Sequence, residues 1–316
     1  MDNLISTHYT THITSSSSSQ NPSSAAHNSA VAAAFGYSPS DLSSTPASSN
    51  LGVSCGNPLA MSGLREGETL LDLGSGGGMD CFLASPRVGK TGHVYGIDMT
   101  SSMISLSNRN KSLGSYENVT FINAHIKSIP LPASIADIVT SNCVINLVPS
   151  IEKPAVFTEI FRLLKPGGRV AISDILARKE LPEEVRRDVG LFVGCVGGAS
   201  KVGEYEGWIR EAGFKDVFII DTEKDVNIYK ESLLVEGSGG EEGIEGTYYY
   251  GSPSSRGSIS SDRREILKNL DLNEYVGAYQ IYAIKPEQAE SAELERKHTF
   301  EAKTEDILQE VRGEGN

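Results

Sequence analysis

From Thr69 onward the chain alternates short apolar runs with amphipathic stretches, the pattern of strands and helices that build a parallel sheet in turn. The apolar runs predict strands over Thr69 to Leu73, His93 to Asp98, Val119 to Asn123, Ala136 to Asn142, Arg169 to Ile175 and Lys215 to Asp221. The stretches between them predict helices over Met79 to Ala84, Ser101 to Leu113, Lys153 to Leu164, Pro182 to Val193 and Val202 to Ala212. Lys165-Pro166-Gly167-Gly168 and Ala212-Gly213-Phe214 read as turns closing two of these helices. A last strand fits AYQIYAIK, Ala278 to Lys285. The expected fold is α/β, a mostly parallel sheet with helices on both faces.

The flanks break this pattern. Residues 1–33 are dominated by Ser, Thr, Asn and Ala, including the run Ser15 to Ser19, and cannot bury enough apolar surface to offset chain entropy. A disordered tail is expected there, with order beginning near Phe35 and Tyr37. GSGGEEGIEGTYYYGSPSSRGSISS, between the last two strands, reads as a disordered insertion, which a hairpin tolerates because loop-closure cost grows slowly with length. The charged tail after Pro286 predicts a helix at Ser291 to Gly313. The expected organisation is thus a tail (1–33), a main domain (34–222), a carboxyl-terminal part holding the insertion and final strand (223–285), and a charged end (286–316).

Composition narrows the partners. The 316 residues are 39% hydrophobic, enough for one sizeable core. A formal charge of -13 opposes nucleic acid or an anionic membrane as the main partner. No apolar run approaches the roughly 20 residues that span a bilayer. No Lys or Arg precedes Arg65, so a basic secretory start and a mitochondrial transit pattern are both missing, and a cytoplasmic location is expected.

The clearest chemistry lies in LLDLGSGGGMDC, where a strand ends in Asp72 and enters a glycine loop through Gly74, Ser75 and Gly76 just before a helix. A doubly wound sheet binds nucleotides at that place. About 20 residues on, the second strand ends in Asp98, placed to accept hydrogen bonds from ribose hydroxyls. Met79 stands where GxGxxG needs its last glycine, which disfavours a dinucleotide. Met99 is a candidate for contact with a base, as is His125, while Met103 reads as core.

Four cysteines occur, Cys55, Cys81, Cys143 and Cys195, with no CxxC or CxH spacing, so no structural metal is expected and they are read as thiols. Cys143 ends the fourth strand, Cys195 precedes two glycines, Cys55 lies in the turn-forming SCGNP, and Cys81 is near a helix start, where the dipole lowers a thiol pKa. Four segments are therefore expected to converge at one end, and soft thiolates there select a soft acceptor. Asp174 reads as a turn or cap, Glu183-Glu184 as helix-dipole partners, and Trp208 as core packing or a lid contact.

The glycine loop with its leading acid, GIDMT at Gly96 to Thr100, and KPGGR resemble the class I (Rossmann-like) S-adenosylmethionine-dependent methyltransferases, whose sheet is seven-stranded. In order from Phe35 to Ala199, FGYSPSDL, NLGVSCGNP, SNCVINLVP, LPEEVR and GCVGGA resemble the arsenite methyltransferases more narrowly. That resemblance implies a donor site of Asp72, Gly74, Ser75, Gly76, Asp98, Met99 and Asn142. It implies As(III) held by Cys143 and Cys195. Cys55 and Cys81 would supply a third thiolate and a disulfide that thioredoxin or glutathione reopens. Two rivals differ in needing fewer of these residues: a methyltransferase for a lipid, sterol or quinone, and a thiol module that sequesters a soft metal without turnover.

Overall fold

The structure is a computed structural model that describes residues 22–182, 195–229 and 269–287. The insertion, Glu183, Glu184, and the helices expected at Pro182 to Val193 (Pro182 apart) and Ser291 to Gly313 lie outside these residues.

Seven strands make one sheet: β1 (Thr69–Leu73), β2 (His93–Asp98), β3 (Val119–Asn123), β4 (Ala136–Asn142), β5 (Leu164–Ala177), β6 (Lys215–Asp221) and β7 (Val276–Ile284). Their order is β3-β2-β1-β4-β5-β7-β6, and β7 runs antiparallel to both neighbours while the others are parallel. The chain moves outward from β1 through β2 to β3, then returns to place β4 on the other side of β1. That reversal opens a crevice at the carboxyl ends of β1 and β4, the switch point where doubly wound sheets bind ligands.

Position in the sheet explains the sequence patterns. In β1, Leu70, Leu71 and Leu73 are fully buried because elements cover both faces. β6 is an edge strand and alternates, with Phe218 and Ile220 on its open face. Between β5 and its preceding strands, the helix at Lys153–Leu163 buries Val156, Phe157, Ile160 and Leu163, a stripe at helical spacing.

The expected strands β1 to β4 and β6 form with the expected bounds; β5 and β7 begin earlier. Two expectations are corrected. The KPGG turn does not separate helix from strand but is built into β5: Leu164 pairs with Ala136 and Arg169 with Ile138, and the register shifts between them. The excursion is held by reciprocal bonds to the end of β7, from Gly167 N–H to Lys285 O at 2.9 Å and from Lys285 N–H to Gly168 O at 2.8 Å. Order also begins earlier than Phe35. Helix α1 (Pro22–Ala34) forms, and it buries Val31 and Ala32, so its alanine-rich second half does supply apolar surface.

No helix among the described residues is long and apolar enough to cross a membrane.

Candidate active site

After β1 the chain turns sharply at Gly74, whose φ of 68° favours glycine and whose absent Cβ would lie 2.2 Å from Val144 Cγ2. Ser75 N–H then donates to Ile97 O at 2.9 Å, fastening the loop to β2. The loop is roofed by an N-terminal strap, and a Cβ on Gly77 would meet Ser49 O at 2.7 Å. That glycine therefore answers to protein packing as much as to any ligand. Asn28 and Asn50 fix the strap to α1 through reciprocal amide-to-carbonyl bonds of 3.1 Å.

Beneath the strap lies an open cleft of about 720 Å³, open solvent included. Asp98 sits at one side, where its two carboxylate oxygens accept from Gly76 N–H at 3.0 Å and Thr100 N–H at 2.8 Å. Burial raises the Asp98 pKa, and these two backbone donors oppose the rise. Each oxygen retains lone pairs for a further donor such as a ribose hydroxyl. Leu51, Val53, Met103, Ile126, Leu147 and Val148 give the cleft apolar walls suited to a base. A nucleoside-bearing donor fits this pairing of acid and apolar slot.

Of the expected donor residues, Gly74, Gly76, Asp98, Met99 and Asn142 line the cleft, as does His125; Asp72 and Ser75 do not. Asp72 is drawn into the sheet, where Thr140 Oγ1 donates to it at 2.9 Å and Cys81 Sγ at 3.5 Å. Burial and the neighbouring Asp80 raise its pKa well above the carboxylate range. Asn142 borders the cleft but spends its amide on the SCGNP turn. Its Oδ1 accepts from Cys55 N–H at 3.1 Å, and its Nδ2 donates to Gly56 O and Tyr37 Oη, both at 2.9 Å.

Three cysteines meet behind the cleft. Cys143 follows β4 at φ 60° and Cys195 stands at φ 65°, two non-glycine residues in the left-handed region. Cys195 Sγ donates to Cys143 O at 2.6 Å, and Cys55 Sγ donates to Ser173 O at 3.3 Å. The Cys55 and Cys143 sulfurs and an Asp174 carboxyl oxygen all lie within 4.8 Å of one another. Cys143 lines the cleft as well, so one residue belongs both to the cleft and to the cysteine cluster. Burial pushes the Cys55 thiol up to about 12 and that of Cys143 well above its ordinary value. A hydrogen bond with Cys143, then burial, does the same to Cys195.

Cys81 does not join them. It is buried in the helix at Met79–Val88, within a separate apolar cluster containing Leu70, Val94 and Ile138. Burial raises its pKa, and Asp72 and Asp80 raise it further. The expected lowering by the helix dipole is overturned, because two carboxylates and desolvation outweigh a helix terminus.

Asp174 is neither a turn nor a cap. It lies inside β5, wholly buried, accepting from Asn146 Nδ2 at 2.9 Å and Tyr205 Oη at 3.2 Å. Burial raises it to about 7 against the pull of Lys153. Lys153 itself is 1% exposed, lowered to about 8 by burial with Asp174 opposing. Sequence reading passed over Lys153, Asn146 and Tyr205. The available signal was the acid in VAISDIL, an otherwise apolar strand that requires buried partners. Trp208 proves to be packing, its ring 6.5 Å from Phe157.

Sheet order, glycine loop and second-strand acid together define the class I methyltransferase fold, and comparison with known proteins agrees. A methyltransferase-domain family matches residues 64–213. An arsenite methyltransferase of Halobacterium salinarum is 42% identical over 64% of this chain and 54% of its own length, and one of Aquipseudomonas alcaligenes is 36% identical over 61% and 56%. The crystal structure of an arsenic(III) S-adenosylmethionine methyltransferase from Chlamydomonas reinhardtii superposes with a TM-score of 0.52 at 26% identity, covering 82% of this chain and 73% of that one. Within that fold, the chain resembles arsenite methyltransferases. It spans little more than half the length of the two curated relatives.

Proposed function

We propose that the chain methylates trivalent arsenic, with S-adenosylmethionine as donor and Cys143 and Cys195 as the principal acceptor ligands. The observation that carries this reading is the double membership of Cys143, which lines the donor cleft and touches the other thiols. When bound, S-adenosylmethionine supplies a methyl group on a positively charged sulfur. Asp98 would hold its ribose, and Met99, Met103 and Ile126 would flank its base.

The acceptor side needs little acid–base chemistry. Each neutral thiol exchanges with an arsenic-bound hydroxide; an As–S bond forms, an As–O bond breaks, and the thiol proton leaves with the hydroxide as water. No net charge enters the buried site, which suits thiols held protonated by burial. Arsenic keeps its lone pair through this exchange, and that pair is the nucleophile.

Methylation raises arsenic to the pentavalent state. Return to As(III) takes two electrons from two thiolate ligands, which leave as a disulfide, and thioredoxin or glutathione in the cytoplasm would restore the thiols. Cys55 is the third sulfur of the cluster and serves there. Pairing Cys55 with Cys81 would require three hydrogen bonds to open, Cys55 to Asn142 and to Ser173 O, and Cys81 to Asp72.

The test is incubation with arsenite, S-adenosylmethionine and a thiol reductant, with methylated arsenicals read by mass spectrometry. Product from the wild type and none from Cys195→Ser is expected. Arsenite bound without product supports sequestration instead, and equal product from the variant removes the acceptor assignment.

A further inference from the structure

Cys143 and Cys195 lie far apart in sequence and are each held in a left-handed conformation, so something must hold the two together. The Cys195 Sγ bond to Cys143 O involves the very group that would bind substrate, and it is lost once that sulfur binds elsewhere. A second tie is needed that leaves both sulfurs free.

Lys153 supplies it. The side chain is 1% exposed, and its ammonium donates to Asn146 Oδ1 at 3.1 Å, Gly198 O at 2.6 Å and Ser200 Oγ at 2.7 Å. Three donors meet three acceptors, so the ammonium is fully used. Asn146 stands in the short turn Ile145–Leu147 just after Cys143, whereas Gly198 and Ser200 follow Cys195. Asn146 Nδ2 also donates to Ile175 O and, at 3.4 Å, to Cys195 O. Ser200 O accepts from Ala177 N–H at 2.8 Å, which docks the same loop on the end of β5.

We infer that Lys153 is a positioning residue for the acceptor site, a buried cationic clamp that sets the spacing of Cys143 and Cys195 through Asn146, Gly198 and Ser200 without touching the acceptor. The inference rests on the proposed acceptor role of these two cysteines. An ammonium is suited to the task, because its bonds to carbonyl oxygens are charge-assisted and short. Burying a cation with no carboxylate in direct contact is costly, and core packing alone gives no reason to place one here.

The test uses Lys153→Met, which keeps the length and unbranched shape of the side chain but loses the donors. Two probes report on the thiol pair, arsenite and cadmium(II), the latter read by its sulfur charge-transfer absorption; S-adenosylhomocysteine binding reports on the donor cleft. Expected is a loss of about tenfold or more in affinity for both thiol probes, the scale of a lost charge-assisted bond, with nucleoside affinity within about twofold. The KM for arsenite should rise while kcat changes less. A folded variant with unchanged cadmium(II) affinity, or with nucleoside binding lost in equal measure, overturns the clamp. Should Lys153→Met fail to fold, Ser200→Ala decides: about threefold weaker cadmium(II) binding supports the clamp, and no change overturns it. Wild-type protein that binds cadmium(II) but not arsenite refutes the arsenic reading and leaves the clamp to be judged by cadmium(II) alone.

Discussion

Cys143 and Cys81 are alike in burial and in the upward shift of their thiols, and they differ in their neighbours. Around Cys143, which lines the cleft, stand two other sulfurs, each on its own segment. Around Cys81 stand Asp72 and Asp80, within a regular helix packed on the sheet. A soft trivalent ion gains affinity from several sulfurs at once, since the second and third bonds form within one molecule. A lone thiol flanked by carboxylates gains nothing of the kind and is harder to ionise. Burial and pKa direction therefore do not separate the thiol proposed as a ligand from the other, whereas the identity of the surrounding atoms does.

The largest effect should come from setting the two regions against each other with phenylarsine oxide, which needs a pair of thiols. Cys143→Ser should lose about a hundredfold or more in affinity, while Cys81→Ser stays within about twofold, as calorimetry would show. Equal losses at the two positions would erase the contrast.

A middle-sized effect tests how Cys55 is held in the first region. Asn142→Ala leaves Cys55 N–H and Gly56 O without their partner and should cost about 1–3 kcal/mol in urea unfolding. Cys55 should then react faster with a maleimide, and Cys81 at its former rate. Accelerated labelling of both would mean that one amide governs the whole strap.

The smallest effect concerns pH. The Cys55 thiol holds its proton up to about 12 in the folded state against an ordinary 9.0, so the folded state binds that proton more tightly. Its contribution to stability is complete below pH 9.0 and is lost as pH rises toward 12. The urea midpoint should fall from about pH 8 to about pH 10.5, and less steeply in Cys55→Ala; equal slopes would assign the fall to other groups.

How far these regions were legible in sequence follows the same division. β1 and β2 announced themselves as short apolar runs that end at Gly74 and at Asp98, and β4 as a mostly buried run, whereas β3, at the edge, was legible from its β-branched and aromatic residues. The Asp98 side of the cleft was legible for the same reason: strand, loop and acid are local. The fate of Cys81 was not, since its position near a helix start is visible in sequence and the approach of Asp72 is not. Asp174 was misread as a cap because its partners Asn146, Tyr205 and Lys153 arrive from three other elements. Helix α1 was missed because its polar half masks the one alanine and the valine that it buries.

The left-handed backbone at Cys143 and Cys195 has a consequence for how such a chain changes over generations. Each position carries a conformational cost of about 1 kcal/mol that glycine would remove. Selection for heat resistance alone would therefore drift toward glycine at both sites and silence the chemistry in the act of hardening the scaffold. On the proposed reading, only continued exposure to a thiophilic poison would keep sulfur where the backbone resists it.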